Sequence, residues 1–268
     1  MGLFGVTQGR LSNLKNDNLD YFPVHAWKKE FRVAKEVGLD FIEVICDKEC
    51  LSQNPINSPS GVELIRKQII DHDLNFVTFC DNHIINASIW DCKSSFDKVI
   101  SIIESIKHLN FEYYILPLVG ESNPLKSNSQ NIKNKLKIIS KVLKSTSVEL
   151  LVESNLNASG TKDLIDFVND QNINLLYDIG NQSYLGNSPE HDLWELREIL
   201  RHIHIKDKNI NGQNVKLGEG VVDYFKLSRI LKKINYRGHF TLETSPGRQP
   251  MKRAVENLKF IKTILENK

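Results

Sequence analysis

Eight short runs of β-branched and aromatic residues recur along the chain, and the gaps between them carry apolar residues at helical spacing. The runs cover 3–7, 41–45, 76–79, 113–116, 149–152, 174–177, 202–205 and 240–242. Stripes such as Trp27, Phe31, Ala34 and Val37, or Ile132, Leu136, Ile139 and Leu143, repeat every three or four residues and so share one helix face. Further helices are expected after Ser58-Pro59-Ser60, after Ser159-Gly160-Thr161, and across Leu193, Leu196 and Leu200. Strands that alternate with helices argue for parallel topology, because a parallel pair needs a crossover and a helix supplies it. The chain has 268 residues, and a closed (β/α)8 barrel takes about 250. Count and length together select an α/β fold, the (β/α)8 TIM barrel, as one domain over 1–268, ahead of an open doubly wound sheet.

Several function classes drop out at this stage. Lys and Arg number 35 against 33 Asp and Glu, which gives no basic footprint for nucleic acid. The apolar runs are too short to span a membrane. The start, Met1-Gly2-Leu3-Phe4-Gly5-Val6, lacks the basic stretch and long apolar run of a signal peptide, and Val6 breaks the myristoylation pattern. Cys46, Cys50, Cys80 and Cys92 form no C-x-x-C pair and read as reduced thiols of a cytoplasmic protein. No GxGxxG follows the first run and no GxxxxGK[ST] occurs, so nicotinamide and P-loop chemistry lack support.

A barrel of this type carries its active site at the C-terminal ends of the strands. Glu153, Asp178, His204 and Glu243 close four successive runs, each preceded by apolar residues. One carboxylate at a strand end is usually a helix cap. Four polar groups on neighbouring strands ask for a further explanation. Three carboxylates and an imidazole at one mouth form a ligand set for Mn²⁺, Mg²⁺, Co²⁺ or Zn²⁺. His202 shares the strand face of His204 one layer deeper, and is expected to be a hydrogen-bonded core histidine.

Several segments resemble one family. They are Leu176-Tyr177-Asp178-Ile179-Gly180-Asn181, His202-Ile203-His204-Ile205-Lys206-Asp207, Leu217-Gly218-Glu219-Gly220-Val221-Val222-Asp223-Tyr224, Asn235-Tyr236-Arg237-Gly238 and Leu242-Glu243. They look like the xylose-isomerase-like barrels of the sugar isomerase/epimerase superfamily, nearest the pentulose-5-phosphate (L-xylulose and L-ribulose 5-phosphate) 3-epimerase branch. The resemblance is strong over about residues 150–245 and weaker before, where Gln8-Gly9-Arg10-Leu11 is compatible with it. It implies metal ligands at Glu153, Asp178, His204 and Glu243, and one divalent ion per chain, with Mn²⁺ ahead of Mg²⁺, Co²⁺ or Zn²⁺. It also implies Glu153 and Glu243 as the catalytic acid–base pair. Free-ketose 3-epimerases of the superfamily carry a His where this chain has Asn181 and an Arg where it has Ile210. The sugar-phosphate branch fits better.

The expected activity is that of a divalent-metal-dependent epimerase or isomerase acting on a small-molecule sugar or sugar phosphate. The reaction is proton transfer through a metal-stabilised enediolate. Two carboxylates on opposite faces of the sugar serve epimerisation, whereas one base suffices for isomerisation. Substrate-binding candidates are His83, Glu43, Lys206, Asp207 and Arg248. His83 is otherwise a loop histidine, and Glu43 points either into the lumen or at a helix. Lys206, Asp207 and Arg248 flank the quadrant where barrels often hold phosphate, and the alternative for the two cations is an ordinary surface role. A homodimer or homotetramer is compatible with this reading, with no nucleic-acid or membrane partner. The competing readings are a dehydratase or lyase on a polyol or keto-sugar, and an endonuclease IV-like repair enzyme. The latter needs three zinc ions and further histidines, and Asn181 and the balanced charge count against it.

Overall fold

Each of the eight runs overlaps a strand, the third one shifted from 76–79 to Thr78–Asp81, and the strands close on themselves. The structure, a computed structural model, describes residues 2–13, 21–47, 49 and 52–266; Cys50 therefore lies outside the described residues. The barrel strands are β1 (Phe4–Thr7), β2 (Phe41–Cys46), β3 (Thr78–Asp81), β4 (Tyr113–Leu118), β5 (Glu149–Ser154), β6 (Ile173–Asp178), β7 (Leu200–Ile205) and β10 (His239–Leu242). They pair in parallel in the order β1-β10-β7-β6-β5-β4-β3-β2, which makes a closed barrel. Two-residue strands β8 (Asp207–Lys208) and β9 (Asn214–Val215) form a small antiparallel hairpin after β7.

The helices form the outer layer. They are α1 (Trp27–Val37), α2 (Pro59–Asp71), α3 (Lys93–Ile106), α4 (Ser129–Lys144), α5 (Ala158–Val168), α6 (Ile179–Tyr184), α7 (Pro189–Glu195), α8 (Tyr224–Lys233) and α9 (Pro250–Glu266). Trp27, Phe31, Ala34 and Val37 of α1 are all buried, as their spacing predicts. Ser58 caps α2 by accepting from the N–H of Gly61. Two helix boundaries also differ from expectation. Asn157, not the 159–161 segment, caps α5, so that segment is its first turn. Leu193 ends its helix within two residues and Leu200 opens β7, so 193–200 is not one helix. Leu193, Leu196 and Leu200 are all buried, and a turn followed by a strand has buried them as a helix face would.

The lumen is filled from below. Phe41, Tyr113, His202 and His239 form a ring cluster with centroids 6.0–6.4 Å apart. Gly5 stands in register with Phe41, and a Cβ there would fall 2.2 Å from the Phe41 ring. The missing side chain is what admits the aromatic plug. Above the plug, polar side chains replace apolar ones, and the site begins. No helix among the described residues is long and apolar enough to cross a membrane.

Candidate active site

Strand register assembles the site. Asp178 on β6, His204 on β7 and Thr241 on β10 are lateral neighbours, and Thr7 and Glu43 are neighbours on β1 and β2. Thr7, Asp178, His204 and Thr241 are each the last or next-to-last residue of their strands, and Glu43, in the middle of β2, reaches them from below. Glu153, Asp178 and His204 offer ligand atoms that all lie within 4.8 Å of one another, and all three are buried. Glu243 follows β10 and brings Oε2 to 3.2 Å from His204 Nδ1. All four residues expected at the mouth are therefore brought together.

Glu43 fixes His204. Of the two orientations open to it, its side chain takes the one into the lumen, where it is 1 % exposed. It accepts from His204 Nε2 at 3.1 Å and from the hydroxyls of Thr7 at 3.2 Å and Thr241 at 3.4 Å. A carboxylate on Nε2–H leaves Nδ1 pointing at the site, the arrangement by which metal-ligating histidines are oriented. Nδ1 is buried and makes no hydrogen bond, with Glu243 Oε2 at 3.2 Å and Glu153 Oε2 at 3.9 Å. His202 lies in the floor, fully buried, bonded to Thr241 Oγ1 at 2.7 Å.

Two cations are built into the same cluster. Lys206 Nζ lies 2.7 Å from both Asp178 Oδ2 and Glu243 Oε2. Arg10, on the turn after β1, brings its guanidinium to 3.8 Å from Glu243 Oε1. Glu30 of α1 holds that turn from behind by accepting the N–H groups of Gly9 at 2.8 Å and Leu11 at 3.1 Å. When ionised, Glu43, Glu153, Asp178 and Glu243 set four negative charges against two fixed positive ones. The remaining two charges match a dication, and the donors are the oxygen and imidazole type that Mn²⁺, Mg²⁺, Co²⁺ or Zn²⁺ takes.

The carboxylates are not equivalent. Burial, aided by Asp178 and Glu243, pushes Glu153 up to about 8 against the pull of His204 and Lys206. Burial also disfavours an ionised Glu243, but Lys206, His204 and Arg10 outweigh it and hold that carboxyl well below its usual range. Burial disfavours charge on His204, yet Glu43 and Glu243 prevail and raise it well above the ordinary imidazole value. To serve as a metal ligand, His204 would have to be in its neutral form, with Nδ1 free of a proton.

The other expected contacts fall elsewhere. His83 is buried beside β3, with Nδ1 2.5 Å from Asp81 Oδ1 and Nε2 3.3 Å from the Ser95 carbonyl. Tyr114 O–H donates to the other oxygen of Asp81. His83 thus belongs to a bonded cluster in the wall. Asp207 accepts four backbone N–H groups, from Lys208, Gly218, Gly220 and Val222, at 3.0–3.1 Å. It is the brace of the loop between β9 and α8, and a Cβ on Gly220 would fall 2.2 Å from its Oδ1. Arg248 is exposed, in a surface recess beside Lys252 and Arg253, and does not join Lys206 in one grip. Asn181 donates to Asp178 through its backbone N–H at 2.9 Å and its amide at 2.6 Å. Ile210 sits 84 % exposed on the β8–β9 hairpin.

The model of the family described as xylose isomerase-like TIM barrel matches residues 31–264. The chain belongs to this family. One family relative, from Haemophilus influenzae, is 23 % identical over 259 residues, covering 88 % of this chain and 90 % of its own length. It carries the provisional name L-ribulose-5-phosphate 3-epimerase SgbU. Among solved structures, an L-ribulose 3-epimerase superposes with a TM-score of 0.77 at 16 % identity, covering 99 % of this chain and 95 % of that one. A D-psicose 3-epimerase from Clostridium cellulolyticum, solved with D-tagatose, gives 0.74 at 12 % identity over 99 % and 100 %. The family match thus covers residues 31–264, and the site just described lies at the end of the barrel where such folds keep their chemistry.

Within this family barrel, sequence reading passed over Arg10, Glu30 and Cys80. Cys80 is a buried β3 thiol whose Sγ donates to Asn82 Oδ1 at 3.2 Å; burial first, then Glu43, Glu153 and Glu243, push it well above the ordinary thiol value. Gln8-Gly9-Arg10 at a strand end was the available signal for Arg10. Nothing local marks Glu30, whose partners lie nineteen and twenty-one residues away.

Proposed function

We propose that the chain is a divalent-metal-dependent sugar epimerase acting on a ketose or ketose phosphate. In this reading Glu153, Asp178, His204 and Glu243 hold the ion, and Glu153 and Glu243 move the proton. The observation that carries it is the convergence of Glu153, Asp178 and His204 within 4.8 Å, with Glu243 against the buried Nδ1 of His204. A bound divalent ion supplies Lewis acidity toward a carbonyl oxygen. The side chains supply the rest. Two barrel strands separate β5, which carries Glu153, from β10, which Glu243 follows, so the two carboxyls reach the mouth from different directions. Without an ion the two carboxyls are inequivalent: burial raises Glu153 to about 8, while at Glu243 Lys206, His204 and Arg10 outweigh burial and hold the carboxyl low. Lys206 and Arg10 keep Glu243 ionised, and Glu43 keeps His204 in the tautomer that faces the site.

Support for an epimerase also comes from the name of the Haemophilus relative, which spans most of this chain. Mn²⁺ is the ion of first choice, and a soluble cytoplasmic enzyme of sugar metabolism is the setting that suits the chemistry. Because Lys206 is committed to carboxylates, Arg248 is the remaining candidate among the expected cations for a substrate phosphate. The test is metal content. After loading with Mn²⁺ and dialysis, the wild-type chain is expected to retain one ion, and His204→Ala to lose it while keeping its far-ultraviolet circular dichroism. Full occupancy in a folded His204→Ala protein contradicts the assignment.

A further inference from the structure

We propose that Lys206 is the resident cation of the carboxylate cluster and competes with a divalent ion for Asp178 and Glu243. The inference rests on the metal-site reading above. Lys206 follows β7, between β6, which ends in Asp178, and β10, which Glu243 follows, and its ammonium bridges the two at 2.7 Å on each side. This is not a surface lysine that has folded inward. The residue is 7 % exposed, and its carbonyl accepts from Tyr224 O–H at 3.1 Å. Its stem runs against Gly180, where a Cβ would fall 2.5 Å from Lys206 Cγ and 2.8 Å from its carbonyl oxygen. The backbone of α6 is thus bare at the place where the lysine stem passes. Packing and two ion pairs hold the ammonium where it is.

The consequence is electrostatic. Glu243 Oε2 faces Lys206 Nζ and His204 Nδ1 at once, and Asp178 Oδ2 is shared between Lys206 Nζ and the Asn181 amide. A dication drawing on the same carboxylates meets a fixed positive charge in a buried setting, where screening is weak. It must also share oxygen lone pairs with that charge. Removing the ammonium leaves one more uncompensated negative charge for the dication to neutralise. Lys206 therefore lowers metal affinity and in return holds Asp178 and Glu243 together on its own.

The experiment is a calorimetric titration of the purified, chelator-stripped full chain with Mn²⁺ at one fixed pH, with thermal melts of each protein before and after the metal. Lys206→Met keeps most of the stem and removes the charge. It is expected to bind Mn²⁺ at least tenfold more tightly than wild type, about 1.4 kcal/mol. Its metal-free midpoint should fall, and Mn²⁺ should raise it by more than it raises the wild type. A folded Lys206→Met that binds Mn²⁺ no more tightly than wild type overturns the proposal. Lys206→Gln, neutral and able to keep one hydrogen bond, is read by the same criterion and stands in if the methionine variant does not fold. If wild type itself binds none of Mn²⁺, Mg²⁺, Co²⁺ or Zn²⁺, the metal-site reading fails and this inference falls with it.

Discussion

Glu30 sits in an unusual position for an acid, and its removal has a calculable signature. The residue is 1 % exposed at the start of α1 and grips the β1–α1 turn through Gly9 and Leu11. Burial raises its pKa from 4.5 to about 7, against the lowering effect of those N–H groups, Ser12 and Arg10. A shift of that size corresponds to about 3 kcal/mol between the two protonation states. The folded protein binds this proton more tightly than the unfolded chain does. The associated stability is therefore fully present below pH 4.5 and is lost as pH rises through about 7. Glu30→Gln cannot ionise and lacks this slope. It also offers one oxygen where the turn needs two acceptors, which costs roughly 1–3 kcal/mol at all pH values. Urea unfolding of both proteins at pH 5, 6, 7 and 8 separates the two effects. The stability of Glu30→Gln relative to wild type should climb by about 2.5 kcal/mol between pH 5 and 8, most of it by pH 7. Parallel curves, with a constant difference at every pH, would refute the reasoning.

Two further predictions concern packing. His202→Ala removes a fully buried ring and its bond to Thr241, so it should cost about 3 kcal/mol in urea unfolding while Mn²⁺ binding persists, the opposite of His204→Ala. Because burial holds the His202 imidazole neutral, wild type should lose stability relative to this variant as pH falls below the ordinary histidine value. Gly220→Ala places a Cβ 2.2 Å from Asp207 Oδ1 and 2.4 Å from the Lys208 carbonyl oxygen. It should loosen the loop between β9 and α8, read as faster proteolysis there; an unchanged digestion pattern counts against Asp207 as the brace.

The barrel was legible because its signal is local and repeated. Strand runs and helical stripes are set by periodicity, and each covers fewer than twenty residues. The rim was legible for the same reason: Glu153, Asp178 and His204 end strands, and strand ends of a closed barrel converge. What stayed hidden depends on closure. His204 and Glu43 meet across 161 residues of sequence, and no pattern near either one announces the other. Lys206 reads as a phosphate-binding cation until the bridge to Asp178 and Glu243 is seen. Asp207 and His83 look like substrate contacts because they are polar and close to strand ends. Their partners in the fold, backbone N–H groups for Asp207 and the Asp81 carboxylate for His83, satisfy buried polar groups and carry no local signal in the sequence. Leu200 misled through spacing alone, since a turn followed by a strand repeats leucine every four residues as readily as a helix does.

The central claim is that Glu153 and Glu243 work as a two-base pair on a ketose carbon. Its most direct test is proton exchange followed by NMR in D₂O. The Mn²⁺-loaded enzyme is presented with L-ribulose 5-phosphate, L-xylulose 5-phosphate and their free sugars. Wild type should place solvent deuterium at one carbon of a single epimeric pair and interconvert its members. Metal-replete Glu243→Gln and Glu153→Gln should each lose turnover, and each should still exchange the proton of one epimer, a different one in the two variants. Near wild-type turnover in either metal-replete variant, or deuterium in no substrate with the wild-type enzyme, would contradict the account.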